Sequence, residues 1–262
     1  MNTMKNNQKI KNDNKTIKNK SQTIENNKQV TKKGSSFQEK ETLGVLFSGG
    51  KDSVYALYLE KKKGNKIACL ISIYSENKES YMFHTPSIKR VESQANVLGI
   101  PLEITTTKGE KEEELKDLEN AIANAKEKYA LTGIVTGALA SVYQASRIKK
   151  ICDELGLKSI NPLWQKDQFE LLNELIKNNF EVILTGVFAY PLDKSWLLRK
   201  IDNKFIEDMR HLYDKYKVNP AGEGGEFESF VINCPLFKRK LLIYPGEIFG
   251  SKHSYSMEIL VE

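Results

Sequence analysis

Hydrophobic and polar positions follow two alternating periods along residues 42–160. Short apolar runs typical of strands are followed by longer stretches in which apolar residues recur every three or four positions. The predicted strands and helices, in chain order, are Leu43–Phe47, a helix containing Val54–Leu59, Ile67–Ile73, His84–Leu98, Ile100–Thr105, Glu112–Tyr129, Thr132–Val135 and Val142–Leu155. Strands that alternate with helices indicate right-handed βαβ units and a doubly wound, mostly parallel, Rossmann-like α/β sheet.

The pattern changes near Asn161 and Pro162. After this point two helices are predicted among strands joined by Pro and Gly turns: helices Gln168–Lys177 and Asp202–Tyr216, and strands Phe180–Val187, Glu228–Ile232, Lys240–Tyr244 and Ser256–Val261. This mixture predicts a second, smaller α+β domain. We therefore expect a nucleotide-binding domain over residues 42–163 and a substrate-binding domain over residues 164–262.

Residues 1–41 differ in composition from the rest of the chain. They contain ten Lys and four acidic residues, which account for the whole net charge of +6, so residues 42–262 carry no net charge. The segment is rich in Lys and Asn and has no apolar face, so we predict that it is disordered. Nucleic-acid binding is therefore expected, if at all, only through this basic tail.

Two further absences narrow the function classes. No apolar run approaches the ~20 residues of a membrane-spanning helix, so no membrane partner is expected. Cys69, Cys152 and Cys234 are widely separated and form no Cys-x-x-Cys pair. A disulfide framework and a structural zinc site are therefore not expected, and the reducing cytoplasm is the predicted location.

A polar loop follows the first strand and precedes the first helix: Ser48, Gly49, Gly50, Lys51, Asp52 and Ser53. The N-terminus of a helix offers unpaired N–H groups and a positive dipole end, and adjacent glycines let the backbone approach an anion closely. The loop therefore predicts a nucleotide-phosphate site. Five residues separate Gly44 from Gly50, and Asp52 follows Lys51, so the loop is not a Walker A motif.

Three other polar clusters are candidates for the same site. They are Glu76, Tyr81 and His84 after the second strand, Tyr143, Gln144 and Arg147 after the fourth strand, and Glu223, Glu226 and Glu228 in the second predicted domain. Because parallel strands end at one edge of a sheet, the first two clusters are expected beside the loop. The three carboxylates repel each other unless a cation is present, which favours magnesium or a cationic substrate over an acidic surface turn.

Taken together, these segments resemble the diphthine–ammonia ligase family of the N-type ATP pyrophosphatase superfamily, whose sheet is of the HUP type. The stretches that carry the resemblance are Ser48–Ser53, Ser75–Asn77, Ser80–Met82 with His84 and Thr85, Gly137–Gln144 with Arg147, Pro162–Trp164, and Gly222–Ser229. The first stretch marks only the superfamily, and its combination with Glu-Gly-Gly-Glu-Phe-Glu is far more specific.

The resemblance implies the last step of diphthamide synthesis, on the diphthine form of translation elongation factor 2. ATP would activate the diphthine carboxylate as an acyl-adenylate with release of pyrophosphate, and ammonia would then displace AMP. On this interpretation Ser48–Ser53 bind ATP and pyrophosphate, Lys51 and Asp52 are catalytic, and Asp52 also holds magnesium. The remaining nine candidate residues would bind the substrate, and the glutamates would hold the trimethylammonium group, ammonium or a second metal.

Three questions stay open at this point. The rival functions are a tRNA-modifying adenylating enzyme of the same superfamily and a non-catalytic ATP-binding sensor. No Cys stands in a recognisable nucleophile setting and residue 2 is Asn2, so ammonium is expected from solution or from a partner chain rather than from a glutaminase domain. The sequence leaves the oligomeric state open, including a homo-oligomer.

Overall fold

The computed structural model describes residues 40–75, 88–108 and 111–262. The described residues belong to one compact unit that begins at Lys40. The tail predicted over residues 1–41 lies outside the described residues, apart from its last two. None of the helices in the described ranges has the length and apolarity that a bilayer span requires.

The first sheet consists of five parallel strands in the order β3-β2-β1-β4-β5. Its strands are β1 Thr42–Leu46, β2 Lys66–Ser75, β3 Leu102–Thr107, β4 Gly133–Val135 and β5 Lys158–Ile160. The chain winds outward from β1 in one direction and then from β4 in the other. In such a sheet the crevice between β1 and β4, at their carboxyl ends, is the expected ligand position.

Four helices connect these strands: α1 Lys51–Lys62, α2 Ile88–Leu98, α3 Lys111–Tyr129 and α4 Val142–Glu154. From Cys69 to Ile71 the buried residues of β2 alternate between two cores, because successive side chains of a strand point to opposite faces. Leu70 packs in a core with residues of α1 and α2, whereas Cys69 and Ile71 pack in a core with residues of α3 and α4. Helices therefore cover both faces of the sheet.

The second sheet is antiparallel, with the order β7-β6-β9-β8. Its strands are β6 Glu181–Val187, β7 Phe227–Asn233, β8 Ile243–Ser251 and β9 Ser254–Val261. The helices of this part of the chain are α5 Gln168–Lys177, a short 3-10 helix Lys194–Trp196 and α6 Asn203–Tyr216. Asp167 and Asp202 cap α5 and α6, since their carboxylates accept hydrogen bonds from backbone N–H groups of the first turn. The large apolar core that includes Leu43 of β1 also includes Val182 of β6.

The structure confirms the predicted fold class, a doubly wound parallel sheet accompanied by a smaller α+β part. The strand predicted over Lys240–Tyr244 was wrong in its bounds, since β8 begins at Ile243 and continues to Ser251. The three-residue strand β5 was not predicted from the sequence. The domain border at residue 163 stays a prediction.

Candidate active site

The polar loop between β1 and α1 is held in shape by its own serines. The hydroxyls of Ser48 and Ser53 lie 3.2 Å apart, and the Ser53 hydroxyl also donates to the Gly50 carbonyl at 3.1 Å. Gly49 has φ 77°, a backbone conformation that residues other than glycine rarely adopt. Gly50 is the N-cap residue of α1 and has an extended conformation. Because it has no side chain, it provides no capping group at the N-terminus of the helix.

Lys51 and Asp52 form an ion pair at the start of α1. The Lys51 Nζ lies 2.7 Å from Asp52 Oδ2, and only 4% of the Lys51 side chain is exposed, compared with 25% for Asp52. The Lys51 ammonium also lies 5.6 Å from the centre of the Phe227 ring, within the range of a cation–π interaction. The second oxygen of Asp52, Oδ1, is buried and has no hydrogen-bond partner among the described residues.

The loop that follows β4 packs directly against the start of α1. A Cβ atom at Gly137 would lie 2.7 Å from the backbone carbon of Asp52 and from the backbone nitrogen of Ser53. Only a residue without a side chain fits this approach. Three residues later, the backbone of Ala140 lies close enough to the Glu223 carboxylate to oppose the rise of its pKa. The loop after β4 therefore packs against the polar loop at residues 48–53 and lies near the acidic segment.

The acidic segment, residues 222–229, reaches α1 through strand β7. The backbone N–H of Lys51 donates to the hydroxyl of Ser229 at 3.1 Å. A Cβ atom at Gly50 would lie 3.3 Å from the Ser229 carbonyl oxygen, so the two backbones are close together. The structure thus brings the loop of the first sheet and the acidic segment of the second sheet into one site.

Glu223 is the glutamate whose ionisation is most affected by this site. Burial, and next the nearby Asp52 carboxylate, raise the pKa of Glu223 from 4.5 to about 7, while Lys51 opposes the shift. The carboxylate therefore titrates near neutral pH, where most glutamates are fully ionised.

The other two glutamates have different surroundings. The carboxylate of Glu226 closes its own turn, since it accepts hydrogen bonds from the N–H groups of Asn219 at 3.2 Å and Gly224 at 2.8 Å. Glu228 is electrostatically coupled to Arg90. Burial lowers the pKa of Arg90, and the Glu228 carboxylate opposes part of that shift. The structure therefore gives Glu226 a part in shaping the loop, in addition to the substrate contact that the sequence predicted for it.

The cluster on α4 forms a stacked pair. The guanidinium carbon of Arg147 lies 3.4 Å from the centre of the Tyr143 ring, and the Arg147 Nε is buried without a partner among the described residues. The backbone N–H of Gln144 donates to Ser141, which caps the helix. The other predicted cluster, Glu76, Tyr81 and His84, lies outside the described residues.

The sequence alone did not single out three residues that contact the loop: Gln94, Phe227 and Ser229. Phe227 and Ser229 belong to the acidic segment, and only the fold shows that they face Lys51. The signal for Gln94 was its position on an apolar helix face, three residues after Val91 and four before Leu98, where a buried glutamine needs hydrogen-bond partners.

The residues of the site can be compared with the ligands that magnesium prefers. Magnesium is usually bound by one or two carboxylates together with substrate phosphates and water. The buried, unpartnered Asp52 Oδ1 beside the helix N-terminus fits this pattern. The described residues contain no group of three or more His, Cys, Asp or Glu side chains arranged to hold a metal by themselves.

Comparison with known proteins matches both halves of the chain. The profile of the diphthamide synthase N-terminal domain matches residues 42–159, and that of the C-terminal domain matches residues 167–259. The diphthine–ammonia ligase of Rattus norvegicus is 33% identical over 78% of this chain and 84% of its own length. That of Homo sapiens is 32% identical over 79% of this chain and 84% of its own length.

Among solved structures, the U34-tRNA thiolase of Methanococcus maripaludis is 16% identical, with a TM-score of 0.35 over 71% of this chain and 70% of the thiolase. The family assignment comes from the two profiles and the curated relatives. This chain belongs to the diphthamide synthase family, the diphthine–ammonia ligases, which are carbon–nitrogen ligases.

Proposed function

We propose that this protein uses ATP to convert the carboxylate of diphthine on translation elongation factor 2 into the amide of diphthamide. The observation that carries this proposal is the junction of the two sheets, where the Lys51 N–H meets Ser229 at 3.1 Å. This contact supports a single site in which the loop would bind phosphate and the acidic segment would bind a cationic acceptor. Amide formation needs both, because a carboxylate reacts with ammonia only after it has gained a leaving group.

The proposed reaction has two steps. A carboxylate oxygen of diphthine attacks the α-phosphorus of ATP, and the bond to pyrophosphate breaks. Ammonia then attacks the acyl carbon, the bond to AMP breaks, and one proton leaves the nitrogen. In the first step negative charge accumulates on pyrophosphate, next to the α1 N-terminus and Lys51. Donors fixed before the reaction at such a position commonly contribute ~3–4 kcal/mol each to transition-state stabilisation.

Magnesium fits this proposal through Asp52, whose buried Oδ1 would be its ligand. The ion would supply positive charge that stabilises the leaving pyrophosphate. The amides of Gly49 and Gly50 would bind the same group. Glu223 is coupled electrostatically to both Lys51 and Asp52, which supports a position between the phosphates and the acceptor.

The proposal that the acidic segment binds the acceptor is based on charge. Diphthine carries a quaternary trimethylammonium group, and the second step uses ammonia that is present mainly as ammonium at neutral pH. Acidic and aromatic surroundings favour such cations. The acidic segment is therefore the proposed contact surface for the trimethylammonium group and the nitrogen donor. Arg147, stacked on Tyr143, is cationic and is proposed to contact the diphthine carboxylate instead.

The test is pyrophosphate release in the presence of ATP, magnesium, ammonium and elongation factor 2 that carries diphthine. We expect multiple-turnover release to depend on all four, with only a single stoichiometric burst when ammonium is left out. Lys51→Met should lower the rate at least about 100-fold, since a charge near the transition state is removed. Lys61→Met is the matched control, because Lys61 is an exposed lysine on the same helix. Release that requires tRNA instead of elongation factor 2 would indicate a tRNA-modifying enzyme. No release with either substrate would indicate an ATP-binding sensor.

A further inference from the structure

Gln94 is a fully buried polar residue between the two sheets. Its side chain on α2 has 0% exposure, and its helix neighbours Val91, Ala95 and Leu98 are buried apolar residues of the core. A polar side chain in such a position is expected to have hydrogen-bond partners that offset the loss of water.

The carboxamide of Gln94 joins the phosphate-binding loop to strand β7. Its Nε2 donates to the carbonyl of Gly49 at 2.9 Å and to the carbonyl of Val231 at 2.8 Å. Since both partners are acceptors, the atom between them has to be the amide nitrogen. The Val231 N–H also donates to the Gly49 carbonyl, at 3.2 Å. Two donors from outside the loop therefore fix the position of Gly49.

The fit around this link is tight. A Cβ atom at Gly49 would lie 2.2 Å from the Oε1 of Gln94, so the carboxamide occupies the space next to the left-handed glycine. The same Oε1 is buried and has no partner among the described residues, which is unfavourable for stability. An apolar side chain of similar length would avoid that unpaired oxygen, but it would leave Gly49 with one donor fewer.

We propose that Gln94 is a positioning residue for the phosphate-binding loop. By tying Gly49 to Val231 it holds the loop amides in the orientation that binds pyrophosphate, and it couples them to the strand that carries Ser229. This inference rests on the proposed function only in taking the pyrophosphate part of ATP as the anion. Gln94 itself does not contact the reacting groups.

The experiment measures the affinity of the full chain for inorganic pyrophosphate by calorimetry, in the presence of magnesium. In Gln94→Met we expect affinity to fall at least tenfold, with a similar rise in the KM for ATP and a smaller change in kcat. Asn96→Met is the matched control, because Asn96 is an exposed amide two residues away on the same helix, and its affinity should be unchanged. Unchanged affinity in folded Gln94→Met would overturn the inference alone, whereas a wild-type chain that does not bind pyrophosphate would overturn the proposed function as well.

A second variant separates positioning from packing. In Gln94→Glu a protonated carboxyl still donates one hydrogen bond, whereas a carboxylate would face two carbonyl oxygens. Burial raises the pKa of such a carboxyl, so affinity relative to wild type should recover at least tenfold between about pH 8 and about pH 5.5. A ratio that does not change with pH contradicts the proposal.

A measurement on the wild-type chain covers the case in which both variants fail to fold. Pyrophosphate should slow hydrogen exchange at the Val231 amide, because binding stabilises the loop to which this amide is hydrogen bonded. Slowed exchange in the loop without any change at Val231 would contradict the coupling.

Discussion

Three glutamates of one short segment have three different electrostatic environments. Glu223 is half-buried near Asp52, Glu226 accepts two backbone hydrogen bonds within its own turn, and Glu228 is coupled to the buried Arg90. The sequence predicted a common cation-binding function for all three, since it shows only that like charges lie close together. The environments of Glu223 and Glu228 depend on residues far away in the chain, whereas that of Glu226 is set within its own turn.

The raised pKa of Glu223 predicts a pH-dependent stability. Its pKa is about 7 in the folded chain and 4.5 in the reference state, so the stability that the neutral carboxyl provides is present below pH 4.5 and is lost as pH rises through 7. Glutamine stays neutral at every pH. After allowance for solvent screening of this half-buried group, Glu223→Gln should be about 1–2 kcal/mol more stable than wild type at pH 8, with little difference near pH 5.

Urea unfolding of both proteins at the two pH values measures this difference. Glu92→Gln is the control, because Glu92 is an exposed glutamate on α2. The control should change stability by no more than about 0.5 kcal/mol at either pH. A Glu223→Gln effect of equal size at pH 5 and pH 8 would show that the residue acts through something other than its charge.

At the scale of elements, the site is made by the close approach of a loop to a helix. The sequence showed Gly137 at the end of a strand, and the structure gives the reason why a glycine stands there. A Cβ atom at this residue would overlap the first turn of α1, 2.7 Å from the backbone of Asp52. The helix N-terminus is therefore supported from behind by the loop after β4.

Gly137→Ala should consequently weaken both the fold and the proposed anion site. The backbone of α1 has to move to admit the methyl group, so we expect a loss of about 1–3 kcal/mol in unfolding free energy. Pyrophosphate affinity should fall at least tenfold. Both quantities are measured in the same preparation, by urea unfolding and by calorimetry.

Gly156→Ala is the control for the general effect of replacing a glycine. Gly156 has φ 65° with no atom within 4 Å of the added Cβ, so its replacement introduces backbone strain without a clash. It should lower stability while pyrophosphate affinity stays unchanged. Equal binding in Gly137→Ala and wild type would show that the loop after β4 does not support the site.

Local signals predicted most strands and helices but failed at two places. Strand β5 has only three residues, too few to show a period, and it forms because its backbone pairs with β4. Pro245 and Gly246 are typical of a turn, yet they lie within β8, where the register shifts between Pro245 and Ile248. Such an irregularity is tolerated because β8 is an edge strand, where a proline breaks no pairing on its outer side.

At the scale of the whole molecule, one apolar core extends across both sheets. Buried residues of β1 and α1 pack in the same cluster as residues of β6 and α6, for example Val45, Leu57, Leu184 and Phe205. The two parts are connected at the site by the hydrogen bonds that Gln94 donates to Gly49 and Val231 and by the one that the Lys51 N–H donates to Ser229. Because each part buries its apolar surface against the other, we expect them to unfold together.

Two single-tryptophan variants test this cooperativity. Trp196→Phe leaves Trp164, which lines one cavity with residues of α4 and β5 and so reports on the first sheet, although it lies just beyond the predicted border at residue 163. Trp164→Phe leaves Trp196, which packs against Phe205 of α6. The urea midpoints from the two fluorescence signals should agree with each other and with that from circular dichroism. Midpoints that differ beyond experimental error would show two independently stable units.

Periodicity and short motifs of neighbouring residues were sufficient to predict the parallel α/β class and the family resemblance, and they are the basis for the proposed anion-binding loop at residues 48–53. Only the packing of the chain shows that Lys51 lies over the Phe227 ring, that Ser229 meets the helix N-terminus, and that Gln94 ties the loop to β7. These contacts join residues up to 178 positions apart. Their geometry depends on how two sheets pack, and no local pattern along the chain records that packing.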